Sequence, residues 1–250
     1  MSKLKALLLT EGLHGMISQT EGLAKALNFD YIHEKIELNS FWKLIPTSFT
    51  PIKKFVFKNK IDGDFDIIIS CGRKSIIPSL FLKKNSKKKI INIHIQNPKI
   101  SSKYFSFVIA PNHDNLKGAN VINSIGALHL FKKESYLKKK YMMEERNLVT
   151  CIIGGQNNHY YFSIKEAENL CNKIKEIKKE NPMINLLVIT SRRTSIEIKN
   201  YIKHNLLSIA KVWLGNEENP YEFSLYKSSF FIITSDSTSM ISEASISGKP

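Results

Sequence analysis

The sequence lacks any run near the 18 or so consecutive apolar residues that a membrane-spanning helix needs, so it is read as a soluble chain. Cysteine is scarce. Cys71, Cys151 and Cys171 are too few and too scattered for a disulfide frame or a zinc site. Each lies in or beside an apolar stretch, where a thiol acts as a small hydrophobe, and a reducing cytoplasm fits that usage. There is no Gly-x-Gly-x-x-Gly turn, no Walker loop, no Gly-x-Ser-x-Gly elbow and no His-Glu-x-x-His, which argues against NAD chemistry, P-loop hydrolysis, α/β-hydrolase catalysis and zinc proteolysis. Acid is also short: 22 Asp and Glu stand against 37 Lys and Arg, a net charge of +15.

That charge has three candidate sources: a nucleic-acid surface, an anionic membrane surface, or a coding bias that fills solvated faces with lysine. The densest runs are residues 83–89 (Lys83, Lys84, Lys87, Lys88, Lys89) and 132–140 (Lys132, Lys133, Lys138, Lys139, Lys140). The abundance of Lys, Ile and Asn together favours the coding bias; neither run holds a nucleic-acid motif, so a lipid surface is the second choice as their partner, ahead of DNA or RNA, and no nucleic acid is expected. The expected location is cytoplasmic, peripheral to the inner face of the plasma membrane.

The 250 residues, 42% of them apolar, suffice for two small α/β domains. Short apolar runs alternate with helical patterns, as parallel βαβ units require. Strands are expected at 5–10, 65–70, 89–95, 105–110 and 120–123 in a first half, and at 148–153, 186–190, 211–214 and 230–234 in a second. The start is read as a first strand and not a secretion signal. Helices are expected at 18–27, from Ser75, at 163–180, after Thr194 and up to Gly248, with a helix and linker over 131–147. Ser163 with Glu166, and Thr194 with Glu197, have capping-box spacing. The domains are drawn at 1–140 and 148–250. Gly-Lys-Pro at 248–250 normally introduces a further strand, so a fragment or an unusually short second domain is expected.

In an open parallel sheet, ligands bind beyond the carboxyl ends of the strands. Five polar loops fall there: 11–18, 71–74, 154–162, 191–194 and 235–240. Helix starts with free N–H groups favour phosphate, and Arg192 and Arg193 are suited to grip a diphosphate. Together these loops suggest a nucleoside-diphosphate site. Asp62-Gly-Asp64 resembles a metal-binding pair but precedes a strand, at the wrong sheet edge, so no metal is expected. Tyr136 and Lys140 match dehydrogenase spacing by chance in a lysine-rich segment. His94, His113 and His129 are isolated, each read as a polar core or surface residue.

Several segments together resemble a known family in order and spacing. They are Gly15-Met-Ile-Ser-Gln19, Cys71-Gly-Arg73-Lys-Ser, His94-Ile-Gln96-Asn-Pro98, Pro111-Asn-His113-Asp114, Gly126-Ala-Leu-His129, Ile153-Gly-Gly-Gln-Asn-Asn-His159-Tyr, Thr190-Ser-Arg-Arg-Thr194, Glu218-Asn-Pro-Tyr221 and 235–243. The family is that of bacterial proteins similar to the plant mitochondrial-fission factor named for elongated mitochondria. Its members are generally longer. The resemblance implies a GT-B-like fold, two Rossmann-like domains facing a cleft, and a metal-independent glycosyltransferase using a nucleotide-diphosphate sugar as co-substrate, with no other cofactor. A lipid-linked or envelope glycan is the implied acceptor.

Carried over by position, Gly154 and Gly155 approach the phosphates, with Asn157, His159, Ser191, Arg192, Arg193 and Thr194 around them. Ser235, Asp236, Ser237, Ser239 and Met240 line the diphosphate at a helix start, and Glu243 takes the ribose hydroxyls. Gly12, His14, Gln19 and Arg73 belong to the acceptor side, His14 as the candidate base. Many family members have Pro where His14 stands, and some have His in place of Met16. The plant relative recruits a fission dynamin, so a binding protein without catalysis on the same scaffold is the alternative.

Overall fold

A computed structural model describes residues 3–131, 146–157 and 160–250. The expected helix and linker over 131–147, the pair Tyr136 and Lys140, the lysine run 132–140 and His159 lie wholly or mostly outside them. The chain divides into two compact units, Met1–Leu130 and Phe131–Pro250.

In the first unit, β1 (Lys5–Thr10), α1 (His14–Ala26), β2 (Asp30–Lys35), α2 (Ser40–Leu44), β3 (Ile67–Cys71), α3 (Arg73–Asn85), β4 (Ile91–Ile95), β5 (Phe107–Pro111) and β6 (Val121–Ser124) follow one another. The strands form a parallel sheet in the order β2-β1-β3-β4-β5-β6. Both faces are covered, so alternate residues of β1 and β3 enter two cores. Ala6, Leu8, Ile67 and Ile69 pack with Ala24 of α1, and Leu7, Leu9 and Ile68 pack with Val56, Phe57 and Ile77. Burial on both faces explains the near-continuous apolar runs of these strands.

The second unit has β7 (Leu148–Ile153), α4 (Ile164–Glu180), β8 (Asn185–Thr190), α5 (Ile196–Leu206), β9 (Lys211–Trp213), α6 (Tyr221–Lys227), β10 (Phe230–Ile233) and α7 (Thr238–Ser245). Its parallel sheet runs β10-β7-β8-β9. Val149, Cys151 and Ile153 meet Ala167, Cys171 and Ile174 of α4 and Ile198 and Ile202 of α5 on one face. Leu148, Leu187 and Ile189 meet Phe223 on the other. All three cysteines are buried and free, and burial raises the Cys151 thiol to about 12.

Each sheet reverses its winding once, between β1 and β3 and between β7 and β10. Such switch points open a crevice at the carboxyl edge of the sheet. The loops after β1 and β3, and those after β7 and β10, therefore frame one polar crevice in each unit.

Candidate functional site

In the second unit the crevice is built around one carboxylate. Asp236, two residues past the Thr234 that follows β10, is half-buried as a residue, but only 6% of its side chain is exposed. Its Oδ2 accepts from the Gly155 amide at 3.3 Å and from Arg193 Nη2 at 2.5 Å. Its Oδ1 accepts from Thr234 Oγ1 at 2.5 Å, and Thr234 Oγ1 in turn accepts from the Gly154 amide at 2.7 Å. Asn157 Nδ2 donates to the Asp236 carbonyl at 2.9 Å.

The two glycines are required by close approach. A Cβ on Gly154 would stand 2.0 Å from Asp236 Oδ1, and one on Gly155 would stand 2.3 Å from the Arg193 carbonyl oxygen. Sequence position alone gave these amides to a ligand phosphate. In the folded loops the Gly154 amide donates to Thr234 Oγ1 and the Gly155 amide to Asp236 Oδ2.

Ser191, Arg192, Arg193 and Thr194 follow β8. Thr194 is buried, and its hydroxyl bonds to the Gly154 carbonyl and accepts from the Ser191 amide at 3.0 Å. Thr194 therefore does not cap the next helix. Ser195 caps α5, its side chain accepting from the Ile198 amide, so the expected Thr194–Glu197 capping box does not form: the cap lies one residue later, and its third helical residue, Ile198, cannot reciprocate. Arg193 points to Asp236, while Arg192 is exposed with no partner among the described residues.

α7 begins immediately beyond Asp236. Ser237 is its N-cap and makes no side-chain cap bond, and the amides of Thr238, Ser239 and Met240 find no acceptor among the described residues. Three unfilled N–H groups at a helix start attract an anion. Ser235 is exposed; Ser237, Ser239 and Met240 are half-buried. Glu243, on the buried side of α7, accepts from Tyr221 Oη at 2.6 Å. Burial raises the Glu243 carboxyl above its usual range, and raises the Tyr221 hydroxyl with it. Beside this crevice, Tyr160, Tyr161, Phe162, Leu170 and Ile232 wall a cavity of about 360 Å³ whose polar end is Thr234, Ser235 and Asp236.

The first unit repeats the device. Glu11, after β1, accepts from the Lys74 amide of α3 at 3.1 Å and pairs with Lys74 Nζ at 2.7 Å. Gly12 and His14 lie on the same loop, His14 exposed as the first residue of α1, and Gln19 is buried further along that helix. Arg73 donates to the carbonyls of Ile45, at 2.7 Å, and of Lys43, holding the end of α2. Glu11, Tyr221 and Thr234 were assigned no role from the sequence. Glu11 and Thr234 had a usable signal, their position at strand ends.

The lysine run 83–89 is partly spent internally. Lys83 Nζ donates to Asn92 Oδ1 at 2.7 Å, and Lys88 pairs with Asp64 at 2.7 Å and Asp66 at 2.8 Å. Asp64 is thus an ion-pair partner on the amino edge of the sheet.

Two Rossmann-like units in tandem, each gathering polar loops at the carboxyl edge of a parallel sheet, define the GT-B-like class of α/β protein. UDP-GlcNAc 2-epimerase from Neisseria meningitidis, solved with UDP-GlcNAc bound, shares this fold, with a TM-score of 0.57 over 99% of this chain and 81% of that one at 13% identity. The chain belongs to the mitochondrial fission ELM1 family, whose model matches residues 14–250. It is 28% identical to the uncharacterized protein RP120 of Rickettsia prowazekii, covering 94% of this chain and 79% of that protein. It is 26% identical to mitochondrial fission protein ELM1 of Arabidopsis thaliana, covering 74% of this chain and half of that protein's length (50%).

Proposed function

We propose that the second unit binds a nucleoside-diphosphate sugar at the β7/β10 crevice and that the protein transfers the sugar to a hydroxyl acceptor. The observation that carries this reading is the start of α7: three amides without acceptors, adjacent to the Arg193–Asp236 pair. An anion entering there gains the helix-terminal amides, the free Arg192 and a share of Arg193. Asp236 is then the counter-ion that the ligand's diphosphate displaces from Arg193. The aromatic cavity beside it offers Tyr160 and Tyr161 as faces for a nucleobase. The UDP-GlcNAc carried by the Neisseria protein of the same fold supports the ligand class.

In the transfer, the acceptor oxygen forms a bond to the anomeric carbon, and the bond from that carbon to the diphosphate breaks. The electron pair leaves with the nucleotide, and a base takes the acceptor's proton. Guanidinium and amide groups serve the leaving diphosphate, so no metal is assigned to it.

A second reading is a binding protein that kept the fold without the chemistry, and the closed ion pair over the glycine loop favours it. Incubating the protein with UDP-GlcNAc and a mixed panel of glycan acceptors, with products followed by NMR, separates the readings. Transfer gives UDP and a new glycoside, epimerisation gives a second UDP-sugar, and a binding protein leaves the donor unchanged.

A lipid surface is the proposed second partner. Phe41, Leu44, Phe49 and Phe55 of the first unit are exposed, and Lys43 and Lys53 lie among them. This apolar and basic segment suits an anionic bilayer better than the run 83–89, in which Lys83 and Lys88 are already engaged.

A further inference from the structure

The first unit has a polar cavity of about 390 Å³ that the reading above does not use, between the carboxyl ends of β3 and β4 and residues 46–48. Gly72, Arg73, His94, Gln96, Asn97 and Lys99 line it, and no carboxylate does. Two of the family-like segments, Cys71-Gly-Arg73-Lys-Ser and His94-Ile-Gln96-Asn-Pro98, meet in this one wall.

His94 is the informative member. It is 1% exposed, and its Nδ1 lies 2.9 Å from Ser70 Oγ. The Ser70 hydroxyl also donates to the Ile93 carbonyl at 3.2 Å. One hydroxyl proton cannot serve both bonds, so the arrangement that makes both has His94 Nδ1–H donating to Ser70. Nε2 is then an unprotonated acceptor with no partner among the described residues, in a buried ring that lines a cavity. Nε2 is not enclosed by protein: it opens on the cavity, where it offers a free acceptor to a ligand hydroxyl.

The other walls supply positive charge. Lys99 Nζ and the Gln96 carboxamide have no partners among the described residues, and the Arg73 amide at the start of α3 finds no acceptor among them. Gln96 and Lys99 both sit at positive φ, 85° and 55°, which costs energy in a residue other than glycine and fixes the segment around Pro98.

We infer that this cavity binds an anionic saccharide, a sugar bearing a phosphate or a carboxylate, with its charged group on Lys99 and the α3 amide, in the field of the Arg73 guanidinium that the Ile45 and Lys43 carbonyls hold in place, and a hydroxyl donating to His94 Nε2. In the context of the proposed transfer, this names the acceptor's chemical class; the binding itself does not depend on that reading. His94 is a binding residue here and not the base, since burial keeps its ring a weak proton acceptor, with its pKa lowered to about 3.

The test is calorimetric titration of the full chain with glucose 1-phosphate, glucuronate, glucose and inorganic phosphate. Glucose 1-phosphate or glucuronate is expected to bind about tenfold or more tightly than glucose or phosphate, and which of the two binds identifies the anion. Lys99→Ala is expected to lower that affinity about tenfold while Arg193→Ala leaves it unchanged. Because a His94 variant also removes the Ser70 bond, the wild-type His94 Nε2 resonance in ¹⁵N-histidine spectra is followed instead, and it shifts on ligand addition. No binding, equal binding of inorganic phosphate, insensitivity to Lys99→Ala, or a static His94 resonance overturns the inference. UDP titrated in parallel keeps the outcomes apart: UDP binding lost to Arg193→Ala concerns the donor site alone.

Discussion

Asp236 ties the loops after β7, β8 and β10 together. If it also stands where a diphosphate oxygen goes, then Asp236→Asn keeps the shape and removes the competing charge. UDP binding by that variant is expected to tighten about tenfold in calorimetry, and an unchanged or weaker affinity counts against the displacement. Gly154→Ala drives a methyl into the same carboxylate and is expected to destabilise the second unit by about 2 kcal/mol or more, read as a fall in its urea midpoint.

His94 predicts a pH dependence. Burial lowers its pKa from 6.5 to about 3, so the unfolded chain binds the extra proton between those values. Its contribution is fully present above pH 6.5 and is lost as the pH falls toward 3. The first unit should lose stability progressively as the pH falls across that window. Trp42 fluorescence in a Trp213→Phe background reports it, and His94→Gln should flatten the slope. The sequence held no sign of this: His94 reads as an ordinary histidine in an apolar strand, and only the fold brings Ser70 beside it. Arg193 was legible from its place after a strand, but its partner Asp236 is 43 residues away and read as one more polar residue of a helix start.

At the scale of the element, the strands were the most legible part, because burial on both faces writes them as unbroken apolar runs. β7 lies at 148–153 as the pattern indicates, and the Ser163–Glu166 capping box forms on α4. Ser163→Ala should cost the second unit about 1 kcal/mol in thermal or urea unfolding. β2 left no apolar signature because it is an edge strand of charged, half-exposed residues, Asp-Tyr-Ile-His-Glu-Lys. α1 starts four residues before its expected start, since Leu13 is its N-cap and no side chain marks the turn. α2 and α6 are too short, at 5 and 7 residues, for a periodic stripe to show. α2 nonetheless matters, because with the turns after it it exposes Phe41, Leu44, Phe49 and Phe55. Leu44→Ser with Phe49→Ser should reduce co-sedimentation with anionic vesicles, whereas Lys84→Ala with Lys87→Ala should change it little.

Across the whole molecule, one scheme occurs twice: a parallel sheet that reverses its winding once, a crevice at its carboxyl edge, and an internal carboxylate, Glu11 or Asp236, set against the loops there. The second unit is the one in which that carboxylate is ion-paired to an arginine and stands directly before a helix with unfilled amides. A diphosphate completes both features at once. Isothermal titration of UDP into the full chain and into Arg193→Ala tests it most directly. Saturable binding to the wild type and an affinity about tenfold lower in the variant are expected; absence of binding, or equal affinity in the two proteins, rules out a diphosphate site at Arg193.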